Sequence, residues 1–234
     1  MRSGTNPVYT GNLTEAWMER HYVVDEISAS ESWRLFRIMA EFVEGVETLS
    51  HIKPGVTFFG SARILPGSEQ YEMTYEMAKS IANAGYTIIT GGGPGVMEAA
   101  NKGAFEAGAQ SVGLNIALPL EQRPNPYIKT LLNFRYFFVR KVMFVKYSKA
   151  FIILPGGFGT LDELFESVTL IQTHKIQPFP VILVGRSFWA PLLSWVEQNL
   201  LARGLISDED RQIMKLADTS EDVLAILKDN HLAN

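Results

Sequence analysis

The chain has 234 residues, 47% of them hydrophobic, a formal net charge of −4 and no cysteine. This length and composition provide for one sizeable core with an appendage. The lack of cysteine excludes disulfides, thiolate nucleophiles and thiolate metal sites, and the acidic balance speaks against a nucleic-acid-binding surface. His21, His51, His174 and His231 show no metal-ligand spacing. Neither a signal segment nor an apolar run of membrane-spanning length is visible. The expectation is a cytoplasmic protein without membrane, metal or nucleic-acid partners.

Residues 1–11 read as a loose tail. Over 12–50 the pattern is helical: Trp33, Phe36, Met39, Val43, Val46 and Leu49 recur at three- and four-residue steps, with Glu41, Glu44 and Glu47 between them. That stripe is expected to pack on the core or on a partner subunit. Lys53-Pro54-Gly55 closes this region, so 1–52 is read as a helical extension and 53–234 as the main domain.

Strands are expected at 56–60, 86–90, 111–116, 150–154 and 179–185. Helices between them are expected at 68–84, 96–107, 137–148 and 160–174, followed by 188–201 behind Ser187 and a last one at 218–228. Residues 131–136 fit either a strand or the lead into a helix. Strand, glycine turn, helix and strand in succession describe βαβ units. The predicted fold is α/β: a doubly wound, mostly parallel Rossmann-like sheet with helices on both faces.

Two glycine turns stand at strand C-termini, the edge where open α/β sheets bind ligands. Gly91-Gly92-Gly93-Pro94-Gly95 lacks the Gly-Lys-Ser/Thr ending of a P-loop. Neither turn has the G-x-G-x-x-G spacing of a dinucleotide site, and Asn115 stands where an acidic residue would hold a ribose. In the second, Leu154-Pro155-Gly156-Gly157-Phe158-Gly159-Thr160-Leu161-Asp162-Glu163, a buried strand feeds a glycine turn and a helix start. Free N–H groups and the helix dipole favour an anion there. A phosphate-bearing ligand follows, yet a simple phosphate cradle would not want the acids.

Thr160-x-x-Glu163 is the spacing of a capping box, and equally that of a carboxylate placed beside a phosphate to activate water. Both readings stand on sequence alone. Arg140 falls on one helical face with Phe137, Met143, Phe144 and Tyr147. An arginine on an aromatic stripe requires an anion partner, either a structural carboxylate or a ligand oxygen.

Gly91-Gly92-Gly93-Pro94-Gly95-Val96-Met97-Glu98, Arg140-Lys141 and Pro155-Gly156-Gly157-Phe158-Gly159-Thr160-Leu161-Asp162-Glu163 together resemble the LOG ("Lonely guy") family over about residues 55–228. Its members are cytokinin riboside 5′-monophosphate phosphoribohydrolases, often labelled lysine decarboxylases. The resemblance implies cleavage of the N-glycosidic bond of a purine nucleoside 5′-monophosphate, without cofactor or metal, in a homodimer or larger homo-oligomer. It implies a catalytic pair, Arg140 and Glu163, and substrate contacts from Glu121, Lys141, the run 157–163 and Thr169. From the turns themselves Ser61, Gly93, Glu98 and Gly156 join the candidate ligand-binding set. Pro94, Glu98 and the proline-rich 117–127 loop depart from the short plant-type members, leaving adenine and N6-modified adenine both open as the base. A nucleotide-binding sensor or carrier without turnover is the alternative from another class. Decarboxylation is disfavoured, since no lysine sits in a recognisable pyridoxal-phosphate setting.

Overall fold

The computed structural model describes residues 31–117 and 123–231. Seven strands form one parallel sheet: β1 (Gly55–Phe59), β2 (Thr87–Thr90), β3 (Ser111–Ile116), β4 (Thr130–Phe134), β5 (Ser148–Ile153), β6 (Val181–Val184) and β7 (Met214–Ala217). Their order is β4-β3-β2-β1-β5-β6-β7, with every pairing parallel. β1, β2, β3 and β6 are buried along their whole length. This is why they read as unbroken apolar runs: helices cover both faces of a parallel sheet.

The helices are α1 (Glu31–Leu49), α2 (Glu69–Asn83), α3 (Val96–Glu106), α4 (Phe137–Tyr147), α5 (Phe158–Gln172), α6 (Arg186–Trp195), α7 (Asp208–Arg211) and α8 (Ser220–His231). Among the described residues no helix is long and apolar enough to cross a membrane. Ser68 caps α2, accepting the Tyr71 N–H at 3.4 Å, with Glu69 and Glu72 in the first turn as the helix dipole favours. Just beyond that helix Gly85 takes φ +98°, which a side chain would resist.

Several expectations change. The ambiguous segment at 131–136 is largely strand β4. Gly185, at φ +97°, stands at the N-cap of α6, so Ser187 lies inside that helix and does not cap it. A π-helical stretch, Val196–Leu201, continues it. Strand β7 and the short α7 had no counterpart in the sequence pattern.

The chain divides into two compact units between Ala40 and Glu41, within α1. In the first unit, Trp33 and Phe36 contact each other with ring centroids 5.9 Å apart, and both are exposed along with Met39. The second unit contains the sheet. There Leu49 is buried and a Cβ on Gly45 would meet the Met143 sulfur at 2.9 Å, while Val43 and Val46 stay exposed. The Glu41 carboxylate accepts the Arg135 N–H at 3.1 Å and the Tyr136 N–H at 3.3 Å. These donors stand at the start of α4, where backbone N–H groups lack helical partners.

The strand order reverses between β1 and β5, so the loops leaving them diverge and open a crevice at the sheet's C-terminal edge. Beneath it lies an aromatic layer. Phe59 meets Phe144 at 4.9 Å and Phe151 at 5.1 Å between centroids, both edge-on.

Candidate active site

A cavity of about 660 Å³ occupies this crevice. The turn after β1 lines it with Ser61, Ala62 and Arg63. Gly91 and Met97 come from the second strand's turn and the start of α3, Phe137 and Arg140 from α4, and 157–160, Asp162 and Glu163 from the start of α5.

Helix α5 begins at Phe158, with Gly157 as its N-cap and no side-chain cap. The first intrahelical donors are the Thr160 and Leu161 N–H groups, both to the Gly157 carbonyl at 3.0 and 3.1 Å. The capping-box reading of Thr160 and Glu163 is therefore overturned: both lie within the first turns, buried, on the cavity side. The Phe158 and Gly159 N–H groups stand ahead of the helical ladder, without intrahelical acceptors. Gly156 has a local reason to be glycine, because a Cβ there would collide with the Thr160 hydroxyl.

The β1 turn is tied to both glycine turns. Ser61 N–H donates to the Pro155 carbonyl at 3.0 Å, and Val96 N–H donates to the Ser61 carbonyl at 3.1 Å. Three loops distant in sequence thus form one rim.

Arg140 lies over the Phe144 ring, its guanidinium carbon 5.1 Å from the centroid. It also packs against the backbone of Gly91, where a Cβ would come within 2.5 Å of Nη2. Its buried Nε has no hydrogen-bond partner. Desolvation lowers its pKa and the charge of Glu163 opposes that. A buried unpaired donor on a charged group is rare and calls for a partner.

Glu163 is 9% exposed. Burial pushes its carboxyl up to about 7, against the pull of Lys141 and Arg140. A carboxyl poised there exchanges a proton near neutral pH, as a general acid–base group requires. Lys141 points along α5, 2.8 Å from Asp162 and 2.9 Å from Glu166. Burial draws its ammonium down, but the bonds to these two carboxylates outweigh that and hold it above its ordinary value.

The structure thus gathers Arg140, Glu163, Ser61, Gly157, Phe158, Gly159, Thr160 and Asp162 around one cavity. Lys141, Leu161 and Thr169 line an adjoining groove of about 530 Å³ along α5, which shares Phe158 and Asp162 with it. Gly93 and Glu98 do not line the cavity. The Gly93 carbonyl accepts from Asn125 Nδ2 at 3.0 Å, and Glu98 accepts from the Tyr71 hydroxyl at 3.1 Å. Glu121 lies outside the described residues. The sequence reading passed over Arg63, Met97 and Phe137. Arg63 directly follows the first strand's turn, at the topological switch point, and that position was its signal.

The family described as "Possible lysine decarboxylase" matches residues 97–227. A cytokinin riboside 5′-monophosphate phosphoribohydrolase of Mycobacterium tuberculosis is 30% identical over 162 residues, 67% of this chain and 84% of that protein. The chain belongs to the LOG family. The rice (Oryza sativa subsp. japonica) cytokinin riboside 5′-monophosphate phosphoribohydrolase LOG is 28% identical over 188 residues, 78% of this chain and 76% of the rice protein. Among solved structures, the molybdenum cofactor carrier protein from Chlamydomonas reinhardtii aligns with a TM-score of 0.57 at 24% identity, covering 78% of this chain and 99% of that one. The molybdenum cofactor binding protein from Rippkaea orientalis aligns with a TM-score of 0.53, also at 24% identity, over 76% and 98%. These two likenesses establish the Rossmann-like fold. Each of the motif stretches quoted from the sequence sends side chains or backbone to the cavity: Gly91 and Met97 from the first, Arg140 from the second, and 157–160, Asp162 and Glu163 from the third, while Gly93, Glu98 and Gly156 do not line it.

Proposed function

We propose that this LOG-family chain hydrolyses the N-glycosidic bond of a purine nucleoside 5′-monophosphate, AMP or a cytokinin riboside 5′-monophosphate, to free base and ribose 5-phosphate. The observation that carries the reading is the pairing, in one cavity, of a buried carboxyl raised to about 7 (Glu163) with a buried arginine whose Nε is unpartnered. The relatives' names, in rice and Mycobacterium tuberculosis, point to the same reaction. Residues 53–234 form the catalytic domain in this reading.

The 5′-phosphate binds at the start of α5, on N–H groups that already stand free of the helical ladder. Anchored there, the sugar presents C1′ to Glu163, and binding energy from the remote phosphate serves positioning. Breaking the bond between C1′ and the base nitrogen sends its electron pair to the base and leaves positive charge on the ribose. The Glu163 carboxylate stabilises that charge and takes a proton from the water whose oxygen bonds to C1′; the departing base gains a proton. Arg140 supplies hydrogen bonds to the ribose or leaving group, which answers its orphaned Nε. Phe137 and Phe158, both exposed at the rim, offer apolar faces to a purine.

The same exposure supports a homodimer or larger homo-oligomer. Phe138 and Val142 on α4 and Phe158 and Phe165 on α5 are large apolar side chains left in solvent around the site. Light scattering on a sizing column tests this, with a monomer as the refuting result.

The function is tested by incubating the protein with AMP, isopentenyladenosine monophosphate and other monophosphates, with chromatography for free base. Saturable nucleotide binding with no base released from any of them would replace the hydrolase by a sensor or carrier.

A further inference from the structure

We propose that Arg63 is a second cation of the site, closing over the 5′-phosphate from the β1 side and setting the preference for phosphorylated over unphosphorylated sugars. The inference rests on the phosphate position given above.

Its backbone is held in place. Arg63 N–H donates to Ser61 Oγ at 3.1 Å, and the Ser61 backbone is bonded to Val96, at the exit of the first glycine turn, and to Pro155, at the entrance of the second. The position of Arg63 relative to the start of α5 is therefore fixed, while its side chain is exposed and, among the described residues, forms no ion pair.

Charge accounting over the cavity lining singles it out. Among the described residues four ionisable side chains line it: Arg63, Arg140, Asp162 and Glu163. Asp162 already has an ion-pair partner in Lys141 at 2.8 Å, a cation it shares with Glu166. Arg140 is buried over the Phe144 ring, with Glu163 as its electrostatic partner. Among the described residues Arg63 is the cavity charge with no ion-pair partner, at the rim that 157–160 also line. A phosphate dianion arriving there needs more than two backbone donors. A guanidinium is suited to supply them, because its planar fork meets two phosphate oxygens at once. Water screens an exposed, partnerless arginine until ligand arrives, so its contact forms on binding and adds to affinity more than to the bond-breaking step.

The test compares wild type, Arg63→Ala and Arg63→Lys. Calorimetry measures binding of ribose 5-phosphate and of ribose, and base release from AMP is followed at two salt concentrations. Replacing an exposed side chain leaves the melting temperature within a degree or two. Arg63→Ala is expected to weaken ribose 5-phosphate binding about tenfold or more. It should raise KM for AMP by a similar factor while kcat falls less than about threefold, and should flatten the salt dependence of KM. Ribose binding should not change. Arg63→Lys is expected to fall between the two, since it keeps the charge and loses the fork. Unchanged affinity for ribose 5-phosphate in Arg63→Ala overturns the proposal, as does an equal loss for ribose. Arg63-dependent binding of ribose 5-phosphate without base release in wild type would remove the hydrolase reading and leave the clamp standing. Turnover by wild type with an unaltered KM in Arg63→Ala would do the reverse.

Discussion

Replacing Glu163 by glutamine separates catalysis from stability, because the two effects run in opposite directions. The substitution keeps shape and volume and removes the titrating group. In the folded chain burial raises the carboxyl from 4.5 to about 7. Between those values the folded state holds a proton that the unfolded state has released, so wild-type stability falls as pH rises through the window. Above the folded pKa the full difference is lost, about 3 kcal/mol. Glutamine mimics the protonated acid at every pH and is spared this loss. Melting temperatures of the two proteins should coincide at pH 4.5 and below, then part as pH rises. By pH 8 the variant should be higher by roughly 6–12 °C for a domain of this size. Base release should fall by about 10²–10⁴-fold over the same range, the usual size of a lost general acid–base group. Thermal melts from pH 4 to 8.5, together with chromatographic assay of the same samples, provide both readings. Retained activity would refute the catalytic assignment. A melting difference that does not vary with pH would refute the burial argument, whatever happens to activity.

Arg140→Met should reduce kcat roughly 10²–10³-fold with little or no loss of melting temperature, because a buried cation without a direct partner contributes little to stability. Gly91→Ala places a methyl 2.5 Å from Arg140 Nη2; it should displace the guanidinium, cost about 1–3 kcal/mol by denaturant titration and reduce kcat well beyond what that destabilisation explains. Lys141 is the main charge holding the Glu163 carboxyl down, so Lys141→Met should move the low-pH limb of the rate profile to higher pH; an unmoved limb would mean that the limb does not report Glu163. Glu41→Gln weakens the acceptor for the Arg135 and Tyr136 N–H groups just ahead of α4 and should cost about 1 kcal/mol in thermal melts.

The parallel sheet was legible because its strands are buried on both faces and bounded by glycine turns, which leaves an apolar run for each. Ser68 and Gly85 marked the ends of α2 for similarly local reasons, one accepting an N–H and the other taking a positive φ. The misreadings were also local. Thr160 and Glu163 have capping-box spacing, but Gly157 starts the helix three residues earlier, so the same two side chains turn inward. Strand β7, Met-Lys-Leu-Ala, carries no alternating or β-branched pattern, and exists through its pairing with β6. Gly93 and Glu98 sit in a conspicuous motif, yet their polar groups are engaged by Asn125 and Tyr71, residues that no spacing rule connects to them.

By itself the sequence determined the α/β architecture and the glycine turn before α5, and it singled out Arg140 and Glu163 one at a time; that they act as a pair is what the resemblance to the LOG family implied. The architecture, the turn and the separate interest of the two side chains depend on periodicity and on residue chemistry within short stretches. Only the tertiary structure decided what those two residues are. Whether a carboxyl titrates near 4.5 or about 7, and whether an arginine Nε finds a partner, depends on which distant side chains surround them. Here the surroundings are Phe144, Gly91 and Lys141. The strand reversal between β1 and β5 opened the crevice they share, because desolvation and Coulomb interaction act through space and not along the chain.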